Sequence, residues 1–143
     1  MILLLRDPLE IYVRAYGKNL SLMSVYCDNI RAFEAFSGEK LLVAYDDLVM
    51  SDSAIERIFS FLGIDTAFNP SLMSEVRRES VTWYKENQPS GSQTEGRTEL
   101  LRFHQTSLAP AEVVAVWKFI RSRLNSVQMK YLRRWKDTNG DIA

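Results

Sequence analysis

The sequence predicts an α/β fold in which a short parallel sheet is flanked by a larger number of helices. Two brief apolar runs, each halted by charge, and long stretches of helical periodicity carry that prediction. The first run, Met1-Ile2-Leu3-Leu4-Leu5, is followed at once by Arg6-Asp7-Pro8. Consecutive apolar residues of this kind read as a short buried strand, as in parallel sheets. Pro8 cannot donate to a ladder but suits the first turn of a helix, so strand gives way to helix there. The second run, residues 40–45, is bounded by Gly38 and by Asp46-Asp47 and reads as another buried strand. Strand, crossover helices and strand imply a right-handed parallel connection. In open α/β sheets ligands bind beyond the carboxyl ends of the strands, where Arg6 falls. An ordinary strand terminus with a solvated ion pair explains the same residues.

The helices follow in order. Leu9, Tyr12, Val13 and Tyr16 keep helical spacing after Pro8, with Gly17 as the C-cap. Leu22, Val25, Tyr26, Ile30, Phe33 and Phe36 form the apolar stripe of a longer helix that ends at Gly38. Ser53-Ala54-Ile55-Glu56 fits a capping box opening a helix with Ile55, Ile58, Phe59 and Leu62 on its apolar face and Gly63 at its end. Asn69-Pro70 opens another short helix through Leu72, Met73 and Val76. Residues 86–98 turn to Gln, Pro, Ser, Gly and Thr and read as a mobile loop. Pro110 starts a helix with Val113, Trp117, Ile120 and Leu124 on one face. Val127, Tyr131, Leu132 and Trp135 suggest a last helix, and residues 137–143 a frayed tail. Two strands alone make a poor sheet, so a neighbouring strand is expected from elsewhere.

With 143 residues, 46% hydrophobic and 25% charged, the chain has the size and composition of one globular domain. Its 18 basic and 18 acidic residues cancel. No global field then attracts nucleic acid or an anionic membrane, and only a local cluster of Arg or Lys can recruit an anion. The single cysteine, Cys27, excludes an intramolecular disulfide and is compatible with a reducing compartment. One cysteine and one histidine, His104, are too few for a zinc site. The apolar start lacks a preceding basic region and stops at Arg6, unlike a signal peptide. No stretch approaches the about 18 apolar residues needed to span a bilayer. A soluble, cytoplasmic protein with no metal, nucleic-acid or membrane partner is expected.

Three segments in order carry more than any one alone: Leu3-Leu4-Leu5-Arg6-Asp7-Pro8, Leu41-Leu42-Val43-Ala44-Tyr45-Asp46-Asp47-Leu48, and Ile58-Phe59-Ser60-Phe61-Leu62-Gly63-Ile64. With them the chain resembles the sulfotransferase family, in the part that follows its nucleotide-binding loop. That family is built as strand–Arg-x-Pro–helix, strand–Tyr-Glu-Asp-Leu, and a helix ending Phe-Leu-Gly. Residues 108–124 are similar to the late family helix that begins Leu-Ser-Pro-Glu, and no likeness extends over 65–107. The resemblance implies the helix-rich part of a P-loop-like sulfotransferase fold without its N-terminal strand–loop–helix. It implies transfer of a sulfuryl group from 3′-phosphoadenosine 5′-phosphosulfate (PAPS) to a hydroxyl or amine of a small-molecule or glycan acceptor.

In the family the Arg of Arg-x-Pro grips the 3′-phosphate, and Arg6 is the matching residue. A planar guanidinium meets phosphate through paired charge-assisted hydrogen bonds, which suits that role. A serine eight positions later normally shares it, but that position is Arg14. Arg14 is either a second cationic grip on the same phosphate or a helix-surface arginine beside a weakened site. Convergence of the two depends on Arg6 lying before the helix. Tyr45-Asp46-Asp47-Leu48 is architectural by the resemblance, and adjacent carboxylates diverge on an extended chain. A late family loop adds basic side chains over the nucleotide, and Arg97, Arg102 and His104 are the candidates, against solvated charges on a mobile loop. The family's catalytic base lies upstream of the Arg-x-Pro strand, so His104 is not assigned and no catalytic residue is identified. Sulfuryl transfer also needs backbone N–H groups around the 5′-phosphosulfate. No glycine directly follows a predicted strand, so that half of the site is expected outside this chain.

Three readings remain. A carboxyl-terminal portion of a PAPS-dependent sulfotransferase expects an upstream coding sequence for the strand–loop–helix. A non-catalytic relative, serving as a nucleotide-binding or protein-interaction module, expects an upstream stop codon and a homodimer or other complex that completes the sheet. An unrelated α-rich interaction domain expects ligand binding indifferent to Arg6. The acceptor is not identifiable. Residues 79–105, with Trp83 and Tyr84, are as well explained by the core as by an acceptor pocket.

Overall fold

Why the chain opens as it does is visible in a computed structural model that describes residues 1–64 and 108–138. Leu3 and Leu5 lean one way and Ile2 and Leu4 the other along strand β1 (Ile2–Leu5), which pairs in parallel with β2 (Leu41–Ala44). The register runs from Ile2 opposite Leu41 to Leu5 opposite Ala44. The expected helix at Asn69-Pro70, the loop 86–98, and the side chains of Trp83, Tyr84, Arg97, Arg102 and His104 lie outside the described residues. Within those residues the chain is helix-rich with a two-stranded parallel sheet, an α/β arrangement. Contacts divide it into two compact units, one of Met1, Arg6–Lys40 and His104–Ala143, the other of Ile2–Leu5 and Leu41–Phe103.

In the unit that holds the sheet, Leu5 and Val43 are buried while Leu4 is 45% exposed. The first strand is therefore not sheathed on both faces as its all-apolar run suggests. β2 passes without a loop into α3 (Tyr45–Met50), and α4 (Asp52–Leu62) follows. Tyr45-Asp46-Asp47-Leu48 is thus helical, where an extended segment was expected. The two carboxylates still diverge, by about 100° around the helix axis, with Asp46 buried and Asp47 half-buried.

α4 begins two residues earlier than the Ser53 box implies. Ser51 is extended, with φ −143° and ψ 134°, and its hydroxyl accepts the Ser53 N–H at 3.2 Å, so Ser51 is the cap and Ser53 is already helical. Ala54 and Ile55 are buried, Ile58 and Phe59 half-buried, and Leu62 is exposed. The end falls where the sequence put it. Gly63 has φ 67°, its N–H reaches the Ser60 carbonyl at 3.2 Å, and the Ile64 N–H reaches Phe59 at 3.0 Å. Space is open around Gly63, so only backbone strain resists a side chain there. Gly63→Ala is therefore expected to destabilise by about 1 kcal/mol, read as a lower urea midpoint with unchanged slope.

The helical unit comprises α1 (Pro8–Arg14), a 3₁₀ turn (Leu20–Leu22), α2 (Met23–Ala35), α5 (Pro110–Arg123), α6 (Ser126–Met129), a second 3₁₀ turn (Lys130–Leu132) and α7 (Arg133–Thr138). α2 packs on α5 and α6, and α1 packs on α5. α1 stops at Ala15, before Gly17, because the Ala15 and Tyr16 N–H groups both turn to the Ile11 carbonyl and Lys18 to that of Tyr12. The inward face of α2 is Met23, Tyr26, Cys27, Ile30 and Phe33, while Leu22, Val25 and Phe36 are exposed. The expected stripe is therefore rotated, and Met23 and Cys27 replace its outer members. Lys40 closes the end of α2 by donating to the Phe33 and Glu34 carbonyls, each at 3.0 Å.

α5 matches its expected span, with Val113, Val116, Trp117, Ile120 and Leu124 buried. Glu112 fixes its start by accepting the Ala109 N–H at 3.0 Å. The single last helix read from residues 127–135 is instead three short pieces. Asn125 and Gln128 cap α6 reciprocally at 2.9 and 3.0 Å, and a 3₁₀ turn then redirects the chain so that Leu132 and Trp135 reach the core while Val127 stays exposed. Tyr131 meets the Phe33 ring edge-on at 5.8 Å and donates its hydroxyl to Glu34. No helix among the described residues is long and apolar enough to cross a membrane.

Candidate functional site

Between the end of β1 at Leu5 and the start of α1 at Pro8 the chain turns, and each step of that turn is pinned. Asp7, buried, accepts the Leu9 N–H at 2.8 Å through its carboxylate and the Ile11 N–H at 3.0 Å through its carbonyl. Pro8 supplies the first helical residue, whose N–H would have no partner in the helix anyway. From α2, the Tyr26 hydroxyl donates to the Arg6 carbonyl at 2.6 Å. The backbone of Arg6 is thus fixed from both sides before its side chain is considered.

The guanidinium of Arg6 donates through Nη2 to Oε1 of Glu10. The same oxygen faces Nη1 of Arg14 at 3.6 Å, an ion pair too long for a hydrogen bond. Arg6 lies before the helix, Glu10 in its first turn and Arg14 at its end. Glu10 and Arg14 share one face of the helix, and Arg6 reaches the same carboxylate from before it. The structure therefore brings Arg6 and Arg14 together, the condition on which a shared role depended. Glu10 is fully buried at 0% side-chain exposure, whereas Arg6 and Arg14 are 28% and 32% exposed.

The phenol of Tyr26 remains protonated far into the alkaline range. Burial is the main cause of its raised pKa, followed by the charges of Asp7, Cys27, Tyr16 and Glu10. It is accordingly a permanent donor to Arg6. Cys27, alongside it on α2, is also buried, and its thiol is pushed up to about 11, chiefly by burial. Such a thiol is inert at neutral pH.

Arg97, Arg102 and His104 lie outside the described residues and are not joined to this cluster. Two members of it, Glu10 and Tyr26, were not singled out by the sequence. Glu10 carried a signal, since it stands four residues from each arginine. Tyr26 carried little, being one more aromatic in an apolar stripe. A pair of guanidiniums of this kind suits a phosphate or another multiply charged oxyanion. Neither turn after a strand holds a glycine among the described residues: β1 runs into Arg6-Asp7-Pro8 and β2 directly into Tyr45. No three His, Cys, Asp or Glu side chains come together there as a metal-holding group. Comparison with protein-family models, curated proteins and solved structures finds no match to the chain.

Proposed function

We propose that this chain is sulfotransferase-like and carries the 3′-phosphate-binding half of a site for PAPS. One observation carries the reading. Arg6 and Arg14 converge on one oxygen of Glu10, and their side chains are 28% and 32% exposed. An arginine at the end of a strand, held by its own backbone and by a carboxylate, fits recognition of a phosphate monoester. Arg6 would be the principal ligand and Arg14 the second cation in place of the family's serine. Bound PAPS supplies an activated sulfuryl group for a hydroxyl or amine acceptor, and these residues anchor its opposite end so that the sulfuryl group is held in place. The 5′-phosphosulfate would be held by groups other than the two described strand–helix turns.

Calorimetric titration with 3′,5′-adenosine bisphosphate tests the reading. Saturable binding is expected, with adenosine 5′-monophosphate weaker. Arg6→Ala should weaken the bisphosphate at least about tenfold and Arg14→Ala less, because charge-assisted hydrogen bonds are worth about 1.5–3 kcal/mol and Arg14 is the more distant partner. Binding indifferent to Arg6, in a chain that still melts cooperatively, would overturn it. A second reading is favoured by the exposed Leu4 on a sheet of two described strands. There the chain is a non-catalytic relative whose sheet is completed by a partner strand or a second copy, and sedimentation would show a concentration-dependent dimer.

A further inference from the structure

We propose that the outward face of α2 pairs with the same helix of a second copy of this chain, antiparallel about a two-fold axis at Asn29. Apolar residues scattered singly over a surface need no explanation. Those of α2 are not scattered. Leu22, Val25, Asn29, Ala32 and Phe36 are all exposed, Leu22 by 40%, Val25 by 49% and Phe36 by 39%. They are spaced three, four, three and four residues apart, the spacing of a helix seam that packs on another helix. At 100° per residue they fall within about 80° of arc. That arc lies beside the buried face of Met23, Tyr26, Cys27, Ile30 and Phe33. Leu22 at the N-cap and Phe36 at the C-cap extend the seam over both ends of the helix. The Phe36 ring lies over Gly38, where an added Cβ would come within 2.7 Å of it, so the aromatic end of the seam is already placed.

The occupant is read from the pattern itself. A two-fold interface is self-complementary, so residue i of one copy meets residue j of the other and j meets i. Leu22 and Phe36 both lie seven residues from Asn29, and Val25 and Ala32 lie four and three. Antiparallel pairing therefore sets Leu22 on the partner's Phe36 and Val25 on the partner's Ala32. Asn29 meets its own copy on the axis, where an amide can both donate and accept. A polar residue at one seam position fixes register at a cost in stability. Charge points the same way. Asp28 and Arg31 flank the seam on one side, both exposed and 3.5 Å apart within the chain. About that axis the four charges of two copies form one cluster of mixed sign. Parallel pairing would instead set that flank against the partner's Tyr26 and Phe33, which are buried and carry no charge.

A seam from Leu22 to Phe36 is about 21 Å long, at the small end of specific interfaces, so a weak, concentration-dependent dimer is expected. Sedimentation of the full chain from about 10 µM to about 1 mM covers the range of such an association. A monomer–dimer equilibrium is expected, weakened at least about tenfold in Val25→Glu, which puts an unpaired charge into the seam. Asp28→Arg alone and Arg31→Glu alone should each weaken it too, since each gives the cluster a single sign. Mixed in equal amounts, these two variants should pair again, one supplying the positive half of the cluster and the other the negative half. Misfolding cannot produce recovery on mixing. Each substitution falls on an exposed side chain, and an unchanged cooperative melt verifies the fold. A chain monomeric throughout would overturn the proposal. A dimer indifferent to Val25→Glu would also overturn it, by placing the contact elsewhere, as in a sheet completed by a second copy. Charge variants that stay apart on mixing would overturn it by removing the antiparallel arrangement.

Discussion

Replacing Trp117 by alanine is expected to cost about 3–5 kcal/mol. Trp117 is 3% exposed on α5, the helix that packs against both α1 and α2. Val113, Val116 and Ile120 are buried on the same helix, so a hole at Trp117 opens between side chains already held by close packing. The indole N–H, buried, has no hydrogen-bond partner among the described residues. Trp117→Phe therefore removes ring area and, with it, a donor that was desolvated without return. Phenylalanine should cost well under half of what alanine costs, and urea denaturation of the two variants checks this. Equal losses would mean that the N–H, not the ring, matters. Because α1 packs on α5, the alanine variant should also loosen the helix that carries Glu10 and Arg14.

The parts of this fold legible in the sequence are those decided within a few residues. Pro8 after an apolar run, Gly63 after an apolar face and the α5 stripe each state a local conformational preference, and each element stands where that preference puts it. Elements decided by packing were misread. The stripe of α2 admits two neighbouring faces, and the choice of Met23 and Cys27 over Val25 and Phe36 follows from the face α5 and α6 cover. Residues 127–135 look like one helix by periodicity, but the 3₁₀ turn at Lys130–Leu132 interrupts it and carries Leu132 and Trp135 inward. Ser51 displaced Ser53 as a cap because either serine satisfies the same local rule. The site divides in the same way. Arg6 was readable from its place after a strand, and Glu10 only from its spacing, which surface ion pairs share. What sets Glu10 apart is burial, a tertiary property. The partner of Tyr26 is a backbone carbonyl twenty residues away, and a carbonyl carries no sequence signature.

Tyr26→Phe is expected to destabilise by about 1–3 kcal/mol, the cost of removing one partner of a hydrogen bond shielded from water, and to do so in a pH-dependent way. The bond removed is the 2.6 Å contact to the Arg6 carbonyl. In the unfolded chain a tyrosine ionises near 10, whereas the folded chain holds Tyr26 protonated well above that value. The folded state thus binds this proton more tightly. Its contribution is complete below pH 10 and is lost as the pH rises above 10 towards the folded value. Cys27 acts with the same sign at lower pH, its thiol raised from 9.0 to about 11, so its contribution is complete below pH 9 and declines from there. Melting temperatures measured from neutral pH upward should therefore fall in two stages. Cys27→Ala should reduce the earlier loss and Tyr26→Phe only part of the later one, which Tyr12, Tyr16 and Tyr131, their phenols also raised, share. A wild type whose melting temperature is flat to pH 11 would contradict both assignments. The phenylalanine variant also frees the backbone of Arg6 while leaving its guanidinium on Glu10. If Arg6 is the phosphate ligand, freeing its backbone should weaken bisphosphate binding in Tyr26→Phe although no charge has changed.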